Sequence, residues 1–510
     1  MSPNRREFLK FIVAGSVAAG CPIDLSFLAA APEPNSDVDG EHYEVCHQVR
    51  DGKVFARPLV SKRHDVVIVG GGVSGLAAAY FLQAYDFLLL EKESHWGGNA
   101  YQEEYQGQAY ATGAAFDFEG SESDQLAREI GLKLLPVDNP DPTIVQGKWV
   151  PDAWRTGLDQ LPYSLSVRES FKKFRNAALK LNLKSQPKQF DNEPLTKYLA
   201  GYAPEIKQWW DAYGPSNWGA AAANSSALVA LQELQDIARE DGKDDRLTLP
   251  GGNGAITKRL TEVLQAKHKE RMLGDATVIA VEQQKSEVHV TFVQQGQLKT
   301  VAARAVIMAS PKFITARLVA GLPDAQLEAM NSLRYAPYPV VNMIFDKPVY
   351  NRGYDTWCPG NSFTDITVAD WTVRNQPGYR QKNNILTFYT PLAESQRKTL
   401  MTVESCRRLA SKVLRDFQNL LPEFKVEPVE VHLYRRGHPM YMSTPGVYTK
   451  IIPAARAPME RIFFANTDSE GPESLTAGAV AAAHRGAEWA GRVLAGRSAG
   501  SAAKTANSLA

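Results

Sequence analysis

Hydrophobic positions early in the chain fall into three blocks with different spacing. Phe11 to Ala19 is an apolar run rich in Ala, Gly and Val, directly behind the basic stretch Asn4-Arg5-Arg6-Glu7-Phe8-Leu9-Lys10. A bilayer span needs roughly 20 strongly apolar residues, and this run is too short and too mild for one. Asp65 to Val69 is a compact apolar run that ends in glycine, which predicts a buried parallel strand. Leu76 to Gln83 is Ala-rich and predicts a helix, and Phe87 to Leu90 predicts a second buried strand. Farther on, a Pro250-Gly251-Gly252 turn leads into a helix, and the alternation in "DATVIAVEQQKSEVHVTFVQQGQLKTVAARAVIMASP" predicts a three-stranded meander. Near the end, a strand from Ile462 to Ala465 precedes a long Ala-rich helix. No internal repeat is evident, and no further segment is long and apolar enough to cross a membrane.

The turn between the first strand and its helix carries the chemistry. Gly70-Gly71-Gly72-Val73-Ser74-Gly75 fits G-x-G-x-x-G. In that pattern Gly70 makes the tight turn, Gly72 lets a diphosphate approach the backbone, and Gly75 lets helix and strand pack closely. The helix N-terminus offers free N–H groups and the positive end of its dipole to an anion. Glu91 ends the second strand 21 positions after Gly70, where a carboxylate accepts hydrogen bonds from an adenosine ribose. Such a unit binds NAD or FAD. No second G-x-G-x-x-G occurs, so no nicotinamide domain is expected and the reducing hydride should come from the substrate itself.

With 510 residues the chain is too long for one compact core, so two domains or large insertions are expected. Lys plus Arg total 57 against 56 Asp plus Glu, and a net charge of +1 gives no reason to expect nucleic acid as a partner. Cys21, Cys46, Cys358 and Cys406 lack metal-ligand spacing, so no metal site is expected and one disulfide at most.

Three resemblances extend this reading. The N-terminus resembles a twin-arginine export signal, with Asn4 where Ser or Thr is commoner. It implies a signal peptide over residues 1–31, cleaved after Ala29-Ala30-Ala31, and export of the folded protein to the periplasm by the twin-arginine translocase. Gly20-Cys21 offers a second, lipoprotein-type processing site. After Glu91, the spacing Glu-x5-Gly97-Gly98 resembles the flavoprotein amine oxidase superfamily, which includes protoporphyrinogen oxidases and carotenoid desaturases. The resemblance implies FAD. It places Val278 against the adenine, Asp468 near the ribityl chain or phosphate, and the helix N-terminus from Thr476 to Ala479 under the flavin C2 carbonyl. Family members usually have Arg after the glycine pair, where Asn99 stands here. The expected cofactor-binding set is Gly70, Gly72, Val73, Ser74, Gly75, Glu91, Lys92, Gly97, Gly98, Asn99, Val278, Asp468, Thr476 and Ala477. Closer likeness, in the lead-in "HYEVCHQVRDGKVFARPLVSKRHDVVIVGGGVSGLAAAYF" and in "PGGNGAI", is to bacterial spermidine dehydrogenases, which oxidise polyamines.

The expected fold is α/β. A Rossmann-like FAD domain is assembled from residues 65–118, 246–311 and 456–497, and an α+β substrate domain of the amine oxidase type from 119–245 and 312–455. Residues 32–64 form a lead-in and 498–510 a disordered tail. An alkylammonium, with a pKa of about 10, must lose a proton before it yields hydride, so a desolvated aromatic pocket is expected. Trp209, Trp210, Tyr213 and Trp218 are candidate walls, as are Tyr434 and Tyr441, whose segment precedes the final cofactor piece. His438 is a candidate base, and Asp117, Glu119 and Asp211 are candidate anchors for a distal ammonium. Tyr434, Tyr441 and His438 form the expected catalytic set. Many amine oxidases carry a lysine near flavin N5. Here Val341 or Asn342 takes that position and Lys347 lies past the strand, which favours an electron acceptor of the periplasm or respiratory chain over oxygen. The expected activity is oxidation of an amine, a polyamine such as spermidine favoured, by hydride transfer to FAD and hydrolysis of the imine. The alternatives are a desaturase or porphyrinogen-type oxidase with a wide, acid-free tunnel, and a flavin-bound envelope protein without catalysis.

Overall fold

The computed structural model describes residues 35–40, 42–139, 141–239, 243–471 and 475–496. The expected signal peptide, Cys21 and the tail from 498 lie outside the described residues. Val66 to Val69 are β-branched and almost wholly buried, which suits a strand covered on both faces. The strand they belong to, Val60–Val69, sits inside a seven-stranded sheet and pairs in parallel with Phe87–Leu90 on one side and Gln297–Met308 on the other. Gln297–Met308 also pairs in parallel with Ile462–Phe464 and turns back antiparallel through Val288–Gln294 to Ala276–Gln283, the expected meander. Stretches far apart in sequence therefore share one sheet.

The first strand begins earlier than its apolar run. Val60, Lys62, Arg63 and His64 pair with the strand Gln297–Met308, so backbone hydrogen bonds carry the strand past the point where burial stops. The helix runs over Val73–Phe81, two residues short of Gln83 at its end, and Gly72 is its N-cap. Ala77, Ala78 and Ala79 let it lie close to the C-terminal helix Thr476–Leu494, whose Ala482, Ala483 and Ala490 are fully buried in the same core. Ser74 Oγ donates to the Ala479 carbonyl at 2.9 Å and ties the two helix starts together.

A second, eight-stranded mixed sheet has Val340–Phe345 at its heart, antiparallel to both Asn384–Tyr389 and Glu430–Arg435. Asp365–Val368 and Asp355–Trp357 extend it on one side, and Asn35–Gly40 adds to Glu430–Arg435 in parallel on the other. The lead-in thus belongs to both layers: its first strand is in this sheet, and Val60 to His64 are in the other. Helices Leu165–Ala178, Pro204–Trp218 and Ala227–Ile237 pack around a third core centred on Trp154, Trp209, Trp210 and Trp218. Cys358 and Cys406 are buried free thiols.

Candidate active site

A cavity of about 970 Å³ runs from the glycine turn into the second sheet. At the glycine end each conformation has a local cause. Gly70 sits at φ +109° and donates its N–H to the Leu90 carbonyl at 2.8 Å, joining turn to strand. A Cβ on Gly75 would lie 1.7 Å from the Gly70 carbonyl, so only glycine fits there. Gly72 differs, because a Cβ there would meet no protein atom closer than 3.9 Å. Its bare backbone therefore serves whatever enters the cavity. Gly97 donates to the Gly71 carbonyl at 2.9 Å, which lays the second glycine pair beside the first.

Glu91 is buried and accepts hydrogen bonds from the N–H groups of Gly71 at 2.5 Å and Glu93 at 2.9 Å. Burial pushes its pKa up, opposed by the neighbouring Lys92 charge and those two N–H groups. Lys92 pairs with Glu93, which also binds the His42 ring at 2.6 Å. Gly70, Gly72, Val73, Ser74, Glu91, Lys92, Gly97, Gly98, Asn99, Val278, Asp468 and Thr476 all line the cavity. Gly75 and Ala477 do not: Gly75 is consumed by packing, and Ala477 lies outside the lining, on the helix one residue past Thr476.

Asn99 replaces the usual arginine, yet a guanidinium stands beside it. Arg436 reaches across from the segment after Glu430–Arg435 and donates to the Gly98 carbonyl at 3.2 Å and to Thr112 Oγ1 at 3.0 Å. The pattern around Gly97-Gly98 carries no signal of this, since Arg436 lies more than three hundred residues away. Asp468 is turned inward. Its carboxylate accepts from Lys312 Nζ and Tyr335 Oη, both at 2.6 Å, and from the Lys312 N–H at 2.7 Å. Lys312 is fully buried and was not anticipated.

The donors and acceptors left over at this end fit a flavin dinucleotide. Asn253 lines the cavity, donates to Thr476 Oγ1 at 2.8 Å and to the Phe116 carbonyl at 2.7 Å, and keeps a buried Oδ1 without a partner. The first N–H groups of the helix Thr476–Leu494 open toward the same space. Segment 113–116 is thereby held against that helix start.

Beyond segment 113–116 the cavity is walled by Tyr338, Trp357, Tyr389 and Tyr434. Tyr434 is buried, with its hydroxyl 3.4 Å from that of Tyr110, and burial drives its pKa far up. Tyr441 also lines the cavity and donates to the Gly471 carbonyl at 2.6 Å. His438 is there too, but it does not suit a base. Its Nε2 lies 2.6 Å from Arg397 Nη1 and accepts from that guanidinium, and burial followed by the Arg397 charge holds its pKa down to about 4.

The other expected walls and anchors lie elsewhere. Trp209, Trp210, Tyr213 and Trp218 pack among themselves, Trp209 stacking on Tyr213 at 4.5 Å, and none reaches the cavity. The cavity instead meets Trp357, which touches Tyr213 from the far side at 4.2 Å between ring centres. Asp117 accepts from its own turn, Glu119 pairs at the surface with Lys243, and Asp211 pairs with Lys207. Besides Asp39, Glu91, Glu93, Glu394 and Asp468, the acids in the cavity lining are Asp355 and Asp365, which come from the second sheet. Val341 and Asn342 are buried outside the lining, and Lys347 is exposed past the strand end. Among the described residues, Lys92 is the one lysine that lines the cavity.

Asp365 gives a pH prediction. Burial, with Asp141 nearby, pushes its pKa up to about 7, while Thr364 and Ser216 hydroxyls oppose the shift; Asp355, Asp244, Arg246, Tyr338, Tyr389 and Cys358 share the surroundings. The folded state therefore holds a proton that the unfolded chain, with an ordinary aspartate pKa, releases at lower pH. This group's stabilisation is complete below about pH 4 and is lost as pH rises through about 7. The melting temperature of wild type should fall relative to Asp365→Asn as pH goes from about 5.5 to 8, by a few degrees. Parallel melting curves for the two proteins over that range would refute the assignment.

The profile of the flavin containing amine oxidoreductase family matches residues 73–489, and the chain belongs to that family. It is an FAD-dependent oxidoreductase acting on amines. Among characterised relatives, it is similar to Oxidoreductase PigB of Serratia sp. (strain ATCC 39006), 24% identical over 505 residues that cover 82% of this chain and 73% of that protein. Its fold is that of putrescine oxidase, solved as wild type bound to putrescine, with a TM-score of 0.65, 18% identity and coverage of 84% of this chain and 98% of that one. Cyclohexylamine oxidase from Brevibacterium oxydans IH-35A gives a TM-score of 0.65, 18% identity and coverage of 85% and 99%.

Proposed function

We propose that the protein is an exported amine dehydrogenase that oxidises a polyamine such as spermidine. The carrying observation is the second half of the cavity, where four aromatic side chains and two carboxylates stand beside segment 113–116. FAD supplies the acceptor for a hydride leaving the carbon next to nitrogen. The chain's own residues do the rest. Gly72, Val73 and Ser74 at the helix start would hold the diphosphate, Glu91 would accept from the ribose, and Arg436 would supply the cation that Asn99 lacks. Tyr338, Tyr389, Tyr434 and Trp357 exclude water, which lowers the pKa of a bound alkylammonium, and their faces attract it by about 0.5–2 kcal/mol before it deprotonates. Water then hydrolyses the imine to an aldehyde and a smaller amine.

Two further parts belong to the reading. A cavity that among the described residues is lined by one lysine, Lys92 at the Glu91 end, supports an acceptor other than oxygen, a carrier of the periplasm or respiratory chain. The paired arginines Arg5-Arg6 support delivery by the twin-arginine translocase after FAD is bound, with Cys21 as a second processing site. A porphyrinogen-type oxidase would need an apolar tunnel, and Asp355 and Asp365 in the wall weigh against it.

The test is an anaerobic titration of the yellow protein with spermidine, putrescine and monoamines. Loss of the flavin's visible absorbance is expected, with slow return in air. Absence of reduction by every amine would move the reading to a porphyrinogen-type substrate or a non-catalytic role, and fast return in air would make the protein an oxidase.

A further inference from the structure

The inner end of the cavity buries more acid than its cations answer. Asp355 and Asp365, 2% and 3% exposed, line it from adjacent strands of the second sheet. Behind them Arg246 is shared by Asp141 at 2.6 Å, Asp244 at 2.9 Å and Asp355 at 3.5 Å. One guanidinium thus serves three carboxylates. Asp365 accepts from the hydroxyls of Ser216 at 2.8 Å and of Thr364, and among the described residues no cation pairs with it. The Tyr338 hydroxyl lies 2.6 Å from Ser216 Oγ, so a chain of donors from Tyr338 through Ser216 fixes the orientation of Asp365. Asp355 Oδ1 is buried and meets no donor; its neighbour is the Asp365 carboxyl, with which it can share only a proton. Two buried carboxyls so placed must share that proton or meet a cation.

The surroundings select the cation. Trp357, Tyr338, Tyr389 and Phe116 enclose the space, and aromatic faces favour an ammonium over a hydrated metal ion. The pair is also coupled to the reacting end. Tyr389 donates to the Gly113 carbonyl at 2.7 Å, Arg246 lies over the Phe116 ring at 5.3 Å, and Asn253 links Phe116 to Thr476 at the start of the C-terminal helix. Segment 113–116 lines the same cavity as the two acids and is tied by these bonds to the start of the C-terminal helix.

We infer that Asp355 and Asp365 bind a second ammonium of the substrate, so that the enzyme selects diamines and polyamines over monoamines of equal chain length. This rests on the amine-oxidising reading above. One ammonium N–H points to each carboxylate and the aromatic walls cover the methylenes, while the other nitrogen, uncharged, presents its neighbouring carbon for oxidation.

The experiment compares anaerobic flavin reduction of the holoprotein by putrescine, spermidine and butylamine. A charge-assisted pair of hydrogen bonds predicts kcat/KM about 30-fold or more higher for putrescine than for butylamine. Asp365→Asn should lower that ratio about 10-fold or more, and Asp365→Glu should restore part of it. Wild type needs no mutation to be decisive: equal rates for putrescine and butylamine overturn the second-ammonium site and leave amine oxidation standing. Reduction by none of the three overturns the underlying reading as well. An unchanged ratio in Asp365→Asn with normal flavin content and melting temperature would likewise remove Asp365 from the site.

Discussion

Gly72→Asp should be purified colourless, with affinity for FAD reduced at least about 100-fold. The backbone at Gly72 is extended, at φ −74° and ψ −167°, so any residue adopts it, and no protein atom obstructs a Cβ. The new side chain would project into the cavity at the helix N-terminus, where a carboxylate satisfies the free N–H groups and repels a diphosphate. Fluorescence titration with FAD measures the loss, and a melting curve shows whether the sheets survive. Gly75→Ala is the contrast. Its Cβ would fall inside the Gly70 carbonyl, so it should lose folded protein rather than flavin alone. A yellow, stoichiometrically loaded Gly72→Asp would refute the placement of the diphosphate. The same variant tests the proposed export, because a folded but flavin-free protein delivered normally to the periplasm would separate export from cofactor loading.

Lys312→Met should lower the melting temperature by about 3–5 °C. Lys312 and Asp468 are 0% and 1% exposed at the side chain, 2.6 Å apart, and Asp468 also accepts from Tyr335. Burial pushes the lysine's pKa down while Asp468 pulls it back up. Removing the cation leaves a buried carboxylate with too few donors, a loss of about 3–5 kcal/mol. The double variant Lys312→Met with Asp468→Asn should recover part of that loss, since no uncompensated charge remains. Calorimetry of the three proteins decides it. If the double variant melts no higher than the single one, the pair does not carry the stability of this corner.

The cofactor half of the site was legible because its chemistry is local. Gly70 to Gly75 and Glu91 act within one strand-turn-helix-strand unit, and periodicity alone located the strands of the meander. Arg436 and Lys312 were not legible. An arginine after a strand and a lysine after a proline look solvated until the fold sets one against Gly98 and the other against Asp468.

The substrate half shows the same limit. Trp209, Trp210, Tyr213 and Trp218 signal an aromatic cluster in the sequence, but whether such a cluster fills a core or lines a cavity depends on which helix face is covered. The covering elements lie far off in the chain. Asp355 and Asp365 stand in an unremarkable stretch and become neighbours only through antiparallel pairing of their strands, with Arg246 brought in from a strand of a different sheet. By itself the sequence determined the class, the cofactor and the turn that receives it, because backbone conformation and helix dipole act over a few residues. Tertiary structure decided where the acids, aromatics and compensating cations meet, because burial and charge pairing depend on distance in space.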